Sequence, residues 1–271
     1  MIVTLRDGLR IGVRDIGSDG SAPPLLLLHG FSGSSESWGE PVLERLSVGR
    51  RLIAVDLPGH GESDVPVDPG RFAFAAIIAD LADLLDVLDV ASAVWVGYSM
   101  GGRLALGAGL LVPDRVLSLV LESASPGLAT EVERVERRSS DELLARRIES
   151  NEIGTFVSEW EDHPLFATQR RLAPADRSEL RRRRMENRPA ALAACLRGLG
   201  TGMQPSLWEA LEHVAVPTLL IAGQEDQRFV RTNERMLEAL PDARLEVVSD
   251  AGHTVHLEQP EGWVSAVESF V

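Results

Sequence analysis

AVWVGYSMGGRLALGAG, residues 93–109, decides how the rest of this chain is read. It opens on an apolar run without polar alternation, the composition of a strand buried on both faces. It closes on small and aliphatic residues that suit a tightly packed helix. Between the two, Gly97-Tyr98-Ser99-Met100-Gly101 matches G-x-S-x-G, the pattern that exposes a nucleophilic serine on a sharp strand-to-helix turn. The glycines keep side chains out of the crowded turn, and the helix N-terminus favours negative charge beside the hydroxyl. A match to five residues also describes a structural serine in a glycine-rich turn. The strand before it and the helix after it are what point to catalysis. GYSMGGR (97–103) also holds the chain's single tyrosine and, one helical step past the serine, Arg103.

The same design recurs outward from this segment. PPLLLLHG (23–30), RLIAVDLPGHG (51–61), VLSLVLES (116–123), PTLLIAGQED (217–226) and ARLEVVSDAGH (243–253) are apolar runs that end in turn residues. FAAIIADLADLLDVLD (74–89) and RTNERMLEALP (231–241) carry helical spacing, and a last helix starts near Glu261. Residues 1–16 alternate around Asp7-Gly8, as a β-hairpin does. Strands alternating with helices predict an α/β fold with a mostly parallel central sheet and helices on both faces. The pattern breaks between Ala124 and Met203, where no strand-like run occurs. That stretch reads as short amphipathic helices interrupted near Gly154, Pro164, Pro174 and Pro189. The expected organisation is a core of residues 1–123 and 204–271, with a helical cap, 124–203, inserted after the sixth strand.

The 271 residues suit one such domain. A net charge of −14 argues against nucleic acid or an anionic membrane as the main partner. Lysine is absent, so every fixed side-chain cation is an arginine. Cys195 is the single cysteine, which excludes an intrachain disulfide and a cysteine metal cluster. The start, MIVTLRDGLRIG, lacks the features of a signal peptide. The apolar run Leu25–Leu28 is far below the ~20 residues of a membrane span. A soluble, cytoplasmic protein is the expectation, with no metal or organic cofactor.

A serine elbow needs an acid and a histidine, in that order along the chain. Asp226 follows the strand TLLIAG and His253 follows LEVVSD, both at carboxyl ends of strands, where ligands meet an open α/β sheet. Glu122, at the end of the strand after the elbow, is the alternative acid. His256 reads as a surface or supporting group. HGFSGSS (29–35) offers backbone N–H groups, that of Phe31 first, to pair with the N–H of Met100 as an oxyanion hole. His29, Asp56 and His60 read as turn chemistry, not as a second site.

HGFSGSS, DLPGHGES (56–63), GYSMGGR, GQED (223–226) and AGHTVH (251–256) together resemble the α/β-hydrolase superfamily. The ordered set GYSMGGR, ESASPGL (122–128), RVERR (134–138), WEDHPLF (160–166) and an arginine-rich helix near Arg184 resembles a narrower family. It is that of 2-succinyl-6-hydroxy-2,4-cyclohexadiene-1-carboxylate synthase, a lyase of menaquinone biosynthesis. The resemblance implies a triad on Ser99, Asp226 and His253 that promotes loss of pyruvate from an enolpyruvyl substrate bearing three carboxylates. It places substrate contacts on Tyr98, Arg103, Arg137, Trp160 and Arg184. ESASPGL departs from members that carry glycines and a histidine before the Pro-Gly. The run Arg181–Arg184 leaves Arg183 or Arg182 as alternatives for the inward residue. Residues 131–188 hold thirteen arginines and thirteen acids, so this segment is near neutral and the chain's negative charge lies elsewhere. That balance suits a small anionic substrate, although most of these arginines are expected in surface pairs such as those of EVERVERR and ELLARR. A serine esterase or carbon–carbon bond hydrolase would use the same triad and remains the alternative.

Overall fold

The computed structural model describes residues 1–17, 20 and 22–271. Eight strands form one sheet in the order β1-β2-β4-β3-β5-β6-β7-β8. β1 (Ile2–Thr4) and β2 (Arg10–Ile16) make the N-terminal hairpin, and β2 runs antiparallel to β4 (Leu52–Val55). From β4 onward the sheet is parallel, through β3 (Leu25–Leu28), β5 (Ala93–Tyr98), β6 (Val116–Glu122), β7 (Thr218–Gly223) and β8 (Ala243–Val248).

The strand interiors are apolar on consecutive residues because both faces are covered. Leu26, Leu28, Ile53 and Trp95 join the core beneath α2 (Phe74–Val87) and α3 (Met100–Leu111). Leu25, Leu27, Val94 and Val96 join the opposite core, with α1 (Glu40–Leu46), Trp38 and Trp263. A one-residue shift in register would exchange the two sets, so the pairing of every strand is specified by both layers at once.

Between β6 and β7 the chain is helical: α4 (Glu131–Ser150), α5 (Ile153–Glu161), a 3-10 stretch (Pro164–Arg171), α6 (Pro174–Met185) and α7 (Pro189–Leu199). α4 is a single 20-residue helix, where the sequence suggested shorter pieces. Thr130 and Glu133 close a capping box at its start. The break expected near Gly154 falls at Asn151 and Glu152, and Gly154 lies in the first turn of α5. The prolines at 164, 174 and 189 each open a helical stretch, where a missing N–H costs nothing. This block has its own small core of Ile148, Phe156, Val157, Leu192 and Leu196. The chain ends with α8 (Gln227–Ala239), α9 (Val255–Glu258) and α10 (Pro260–Glu268). No helix among the described residues is long and apolar enough to cross a membrane.

The loops after β3 and β4 are tied together by two buried histidines. His29 Nδ1 lies 2.7 Å from the Gly30 carbonyl, and its Nε2 accepts the Leu57 N–H at 3.0 Å. His60 Nε2 accepts the Ser32 N–H at 3.4 Å, and the two rings lie 5.0 Å apart. Asp56 accepts from the N–H groups of Ser35 and Glu62. These residues therefore act as turn chemistry. A protonated ring would aim an added N–H at a backbone N–H. Burial, the main cause, lowers the pKa of His29 from 6.5 to about 4 and that of His60 to about 3. The unfolded chain thus binds more protons between 6.5 and about 4. Stability is full above 6.5 and is lost as pH falls through that window. The urea midpoint should fall between about pH 7 and about pH 5, with both imidazoles still neutral by NMR at the lower value. An imidazole of either residue that titrates near 6.5 would contradict this account.

Candidate active site

Ser99 sits between β5 and α3 with φ 51° and ψ −105°, a backbone strained for a residue with a side chain. Two glycines make this turn sterically possible. A Cβ on Gly101 would lie 2.0 Å from the Leu28 carbonyl oxygen, and one on Gly97 would lie 2.4 Å from the Gly101 backbone. The Ser99 N–H is held by the Glu122 carbonyl at 2.8 Å, which ties the turn to β6.

The elbow directs Ser99 Oγ to His253 Nε2 at 3.2 Å, and His253 Nδ1 meets Asp226 Oδ2 at 2.7 Å. His253 and Asp226 are buried. Asp226 is the N-cap of α8, its other oxygen accepting from the Phe229 N–H at 3.4 Å. With Nδ1 donating to the carboxylate, Nε2 carries the lone pair that faces the serine. The structure therefore brings together the three residues expected from the chain order. Glu122, the alternative acid, lies elsewhere. It is fully buried against His256, whose Nδ1 lies 2.8 Å from Glu122 Oε2. His256 is thus not a surface group, as the sequence allowed. It is 2% exposed and packs among Trp38, Trp263 and Tyr98.

The N–H groups of Phe31 and Met100 have no acceptor among the described residues. Met100 is the first residue of α3, where free donors and the helix dipole favour negative charge. The Phe31 ring packs edge-on against Trp160 at 5.5 Å and Phe156 at 6.3 Å, which joins the core loop to α5.

The arginines part into different situations. In the run 181–184, Arg184 is the most buried; Arg181 pairs with Glu161 and Arg182 with Glu179 at the surface, and the partly buried Arg183 pairs with Glu179 and donates to the Glu36 carbonyl. Arg184 donates to Gln169 Oε1 at 3.1 Å and lies over the Phe166 ring at 5.2 Å, while burial lowers its pKa. Phe166 in turn meets the His253 ring at 6.1 Å. Arg103 is buried as well, and burial lowers its pKa to about 10, so it remains charged at neutral pH. Its donors reach Gln204 Oε1 at 2.7 Å and the Leu199 carbonyl at 3.0 Å. A bound carboxylate would have to share this guanidinium with the chain that leaves α7. Arg137 is partly exposed and pairs with Asp141 at 2.7 Å on its own helix, close enough to Arg103 to lower the latter's pKa.

Tyr98 Oη meets Thr254 Oγ1 at 2.9 Å, and Gln169 Nε2 meets the same oxygen at 2.9 Å. Neither Gln169 nor Thr254 was singled out from the sequence. Thr254 stood beside His253 in AGHTVH, but nothing local links it to a glutamine 85 residues earlier. A cavity of about 420 Å³ opens within the helical block, with Phe166, Gln169, Arg177, Arg181 and Arg184 in its wall. Phe166 and Gln169 also touch His253 and Thr254, so this cavity and the triad share a wall.

With this geometry in place, likeness to known proteins becomes informative. The family model described as alpha/beta hydrolase fold matches residues 23–260. A Bacillus subtilis protein described as a candidate 2-succinyl-6-hydroxy-2,4-cyclohexadiene-1-carboxylate synthase is 43% identical, over 99% of this chain and 97% of its own. The synthase of that name from Salmonella typhimurium is 36% identical, over 92% of this chain and 94% of its own. Among solved structures, MenH from S. aureus gives a TM-score of 0.90 at 33% identity, covering 95% of this chain and 97% of that one. A thermophilic esterase from Thermogutta terrifontis, solved with malate bound, gives 0.87 at 27% identity, covering 99% and 97%. Sheet order, serine elbow and likeness over nearly the whole length agree: the chain belongs to the 2-succinyl-6-hydroxy-2,4-cyclohexadiene-1-carboxylate synthase family of α/β-hydrolase-fold enzymes.

Proposed function

We propose that this enzyme is a lyase that eliminates pyruvate from 2-succinyl-5-enolpyruvyl-6-hydroxy-3-cyclohexene-1-carboxylate. The product is 2-succinyl-6-hydroxy-2,4-cyclohexadiene-1-carboxylate, in menaquinone biosynthesis. The observation that carries this reading is Arg184, a buried guanidinium in the wall between the triad and the helical block. Burying a cation is costly unless anions offset it: the partly exposed Glu161 carboxylate pairs with Arg184 only at 3.5 Å, and a substrate carboxylate would add a partner that a neutral ester would not. The block 124–203 serves in this reading as a cap that brings arginines over the elbow, with Arg103, Arg137 and Arg184 for the carboxylates. Tyr98 and Trp160 are the polar and aromatic contacts of the same site.

The chemistry follows from the distances. His253 Nε2, 3.2 Å from Ser99 Oγ, takes the serine proton while Asp226 steadies the imidazolium. Ser99 Oγ then removes the ring proton activated by the succinyl carbonyl. The carbon–hydrogen electrons delocalise onto that carbonyl, whose oxygen the Phe31 and Met100 N–H groups are free to hold. Collapse of this anion forms the C2–C3 double bond, moves the existing C3–C4 double bond to C4–C5 and breaks the carbon–oxygen bond at C5 to the enolpyruvyl group, which leaves as enolpyruvate and becomes pyruvate on protonation. Ser99 acts as a base, with no acyl-enzyme.

An acyl-transfer enzyme would use the same serine and the same free N–H groups, and the esterase neighbour keeps that reading in view. Pyruvate release from the enolpyruvyl substrate, measured beside a p-nitrophenyl ester, separates the two. Pyruvate should form rapidly and the ester turn over poorly; fast ester cleavage without pyruvate would sink the lyase assignment. Ser99→Ala should cut kcat by about a thousandfold or more. Asp226→Asn should do likewise, because the histidine tautomer is lost, whereas Glu122→Gln should stay within about threefold. The opposite ranking of the two acid variants would move the acid's role to Glu122. Arg184→Ala should raise KM by about tenfold or more, and Arg184→Lys should recover only part of it. Unchanged KM in both variants would remove Arg184 from substrate binding.

A further inference from the structure

The hydrogen bonds around Tyr98 have a direction that can be worked out atom by atom. Arg184 Nη2 lies 3.1 Å from Gln169 Oε1, and a guanidinium can only donate. The carboxamide oxygen of Gln169 therefore faces Arg184, and its nitrogen, also a pure donor, faces Thr254 Oγ1 at 2.9 Å. Thr254 is 2% exposed, and its hydroxyl has two polar neighbours among the described residues, Gln169 Nε2 and Tyr98 Oη. Since the first can only donate, Tyr98 Oη is the one acceptor within reach of the Thr254 proton. Tyr98 Oη thus accepts at 2.9 Å and keeps its own proton for something else. No other protein group among the described residues takes that proton. The phenol stays protonated, burial being the main cause that pushes its pKa up. Its ring lies 5.4 Å from that of His253, which puts the phenol beside the triad.

We propose that Gln169 and Thr254 are positioning residues: they pass a one-way chain of donors from Arg184 to Tyr98 and turn the Tyr98 proton toward an acceptor oxygen of the bound substrate. Successive bonds of one sense polarise each other, and the chain starts on a cation, which strengthens the last donor. The chain also crosses from the helical block to the residue next to His253. Seating Arg184 and arming Tyr98 therefore occur together. That the acceptor belongs to the enolpyruvyl substrate rests on the lyase reading; the direction of the chain does not.

The test uses Gln169→Glu, which keeps shape and both contacts but offers Thr254 an acceptor. The Thr254 proton then turns to the carboxylate, and Tyr98 must donate to Thr254 instead. Thr254→Val removes the link, and Thr254→Ser restores it. Tyr98 is the only tyrosine, so its Raman Fermi-doublet ratio and its ¹³Cζ resonance are single signals. Both should change in Gln169→Glu and Thr254→Val and remain as in the parent in Thr254→Ser. Signals unchanged in Gln169→Glu and Thr254→Val overturn the proposal. In turnover, Gln169→Glu should lower kcat about three- to tenfold. The same change made in Tyr98→Phe should cost less than about twofold more, since the group it acts through is gone. Equal kcat losses in the two backgrounds would also overturn it. A parent enzyme that releases no pyruvate would refute the lyase reading, and the spectra would still decide the direction of the chain.

Discussion

The contact on which this molecule depends is the approach of the first turn of α3 to the end of β3. The α-carbon of Gly101 stands so close to the Leu28 carbonyl that a single methyl group would collide with it at 2.0 Å. That closeness forces the tight reversal at Ser99 and its positive φ of 51°. Strain of this kind costs about 1–3 kcal/mol and persists only where surrounding structure imposes it. Here it is imposed by packing on both sheet faces and by the bond from the Ser99 N–H to Glu122. The turn lifts the hydroxyl clear of the sheet toward His253 and leaves the Met100 N–H free at the helix start. The position of the Ser99 hydroxyl and the free Met100 N–H are two results of one steric fact.

Two histidine–carboxylate pairs lie side by side beneath the helical block, and their difference is instructive. His253 with Asp226 has a ring nitrogen left over, and that nitrogen meets Ser99. His256 with Glu122 is packed among two tryptophans and Tyr98, where a reacting group has no access. The second pair instead braces the site from below. Glu122 holds His256 through its side chain and Ser99 through its carbonyl, so the histidine loop and the elbow are anchored to the same residue of β6.

Charge in the helical block follows an equally simple division. Most of its arginines lie in exposed pairs, such as Arg134 with Glu131 and Arg197 with Glu149, each worth little in water. Arg103 and Arg184 are the buried arginines among the described residues. Each reaches mainly neutral oxygens, of Gln204 and Leu199 in one case and Gln169 in the other; the carboxylate of Glu161 stands 3.5 Å from Arg184. Neutral acceptors satisfy hydrogen bonds but do not cancel charge. Arg103 therefore keeps an uncancelled charge, whereas Glu161 offsets part of that of Arg184.

What was legible in the sequence was whatever depends on local pattern. Apolar runs ending in turn residues marked the strands, because a strand covered on both faces cannot alternate. G-x-S-x-G between a strand and a helix marked the elbow, because a side chain at either glycine would collide with backbone across the turn. Asp226 and His253 were legible as strand-end residues in the right order. Local pattern was less informative in the helical block, where the 20-residue α4 ran through what read as shorter pieces. It placed Asp226 ahead of Glu122, and Arg184 ahead of Arg183 and Arg182, without excluding the alternatives, since each choice turns on which residue a distant segment meets. Nor could it expose the route from Arg184 through Gln169 and Thr254 to Tyr98, which joins residues from three separate stretches of chain. Hydrogen-bond direction is a property of the assembled set, because each group's role is decided by what its neighbours are able to donate. Fold and candidate groups follow from local pattern, because strands and turns impose it on nearby residues; pairing and hydrogen-bond direction depend on which distant segments meet in the folded chain.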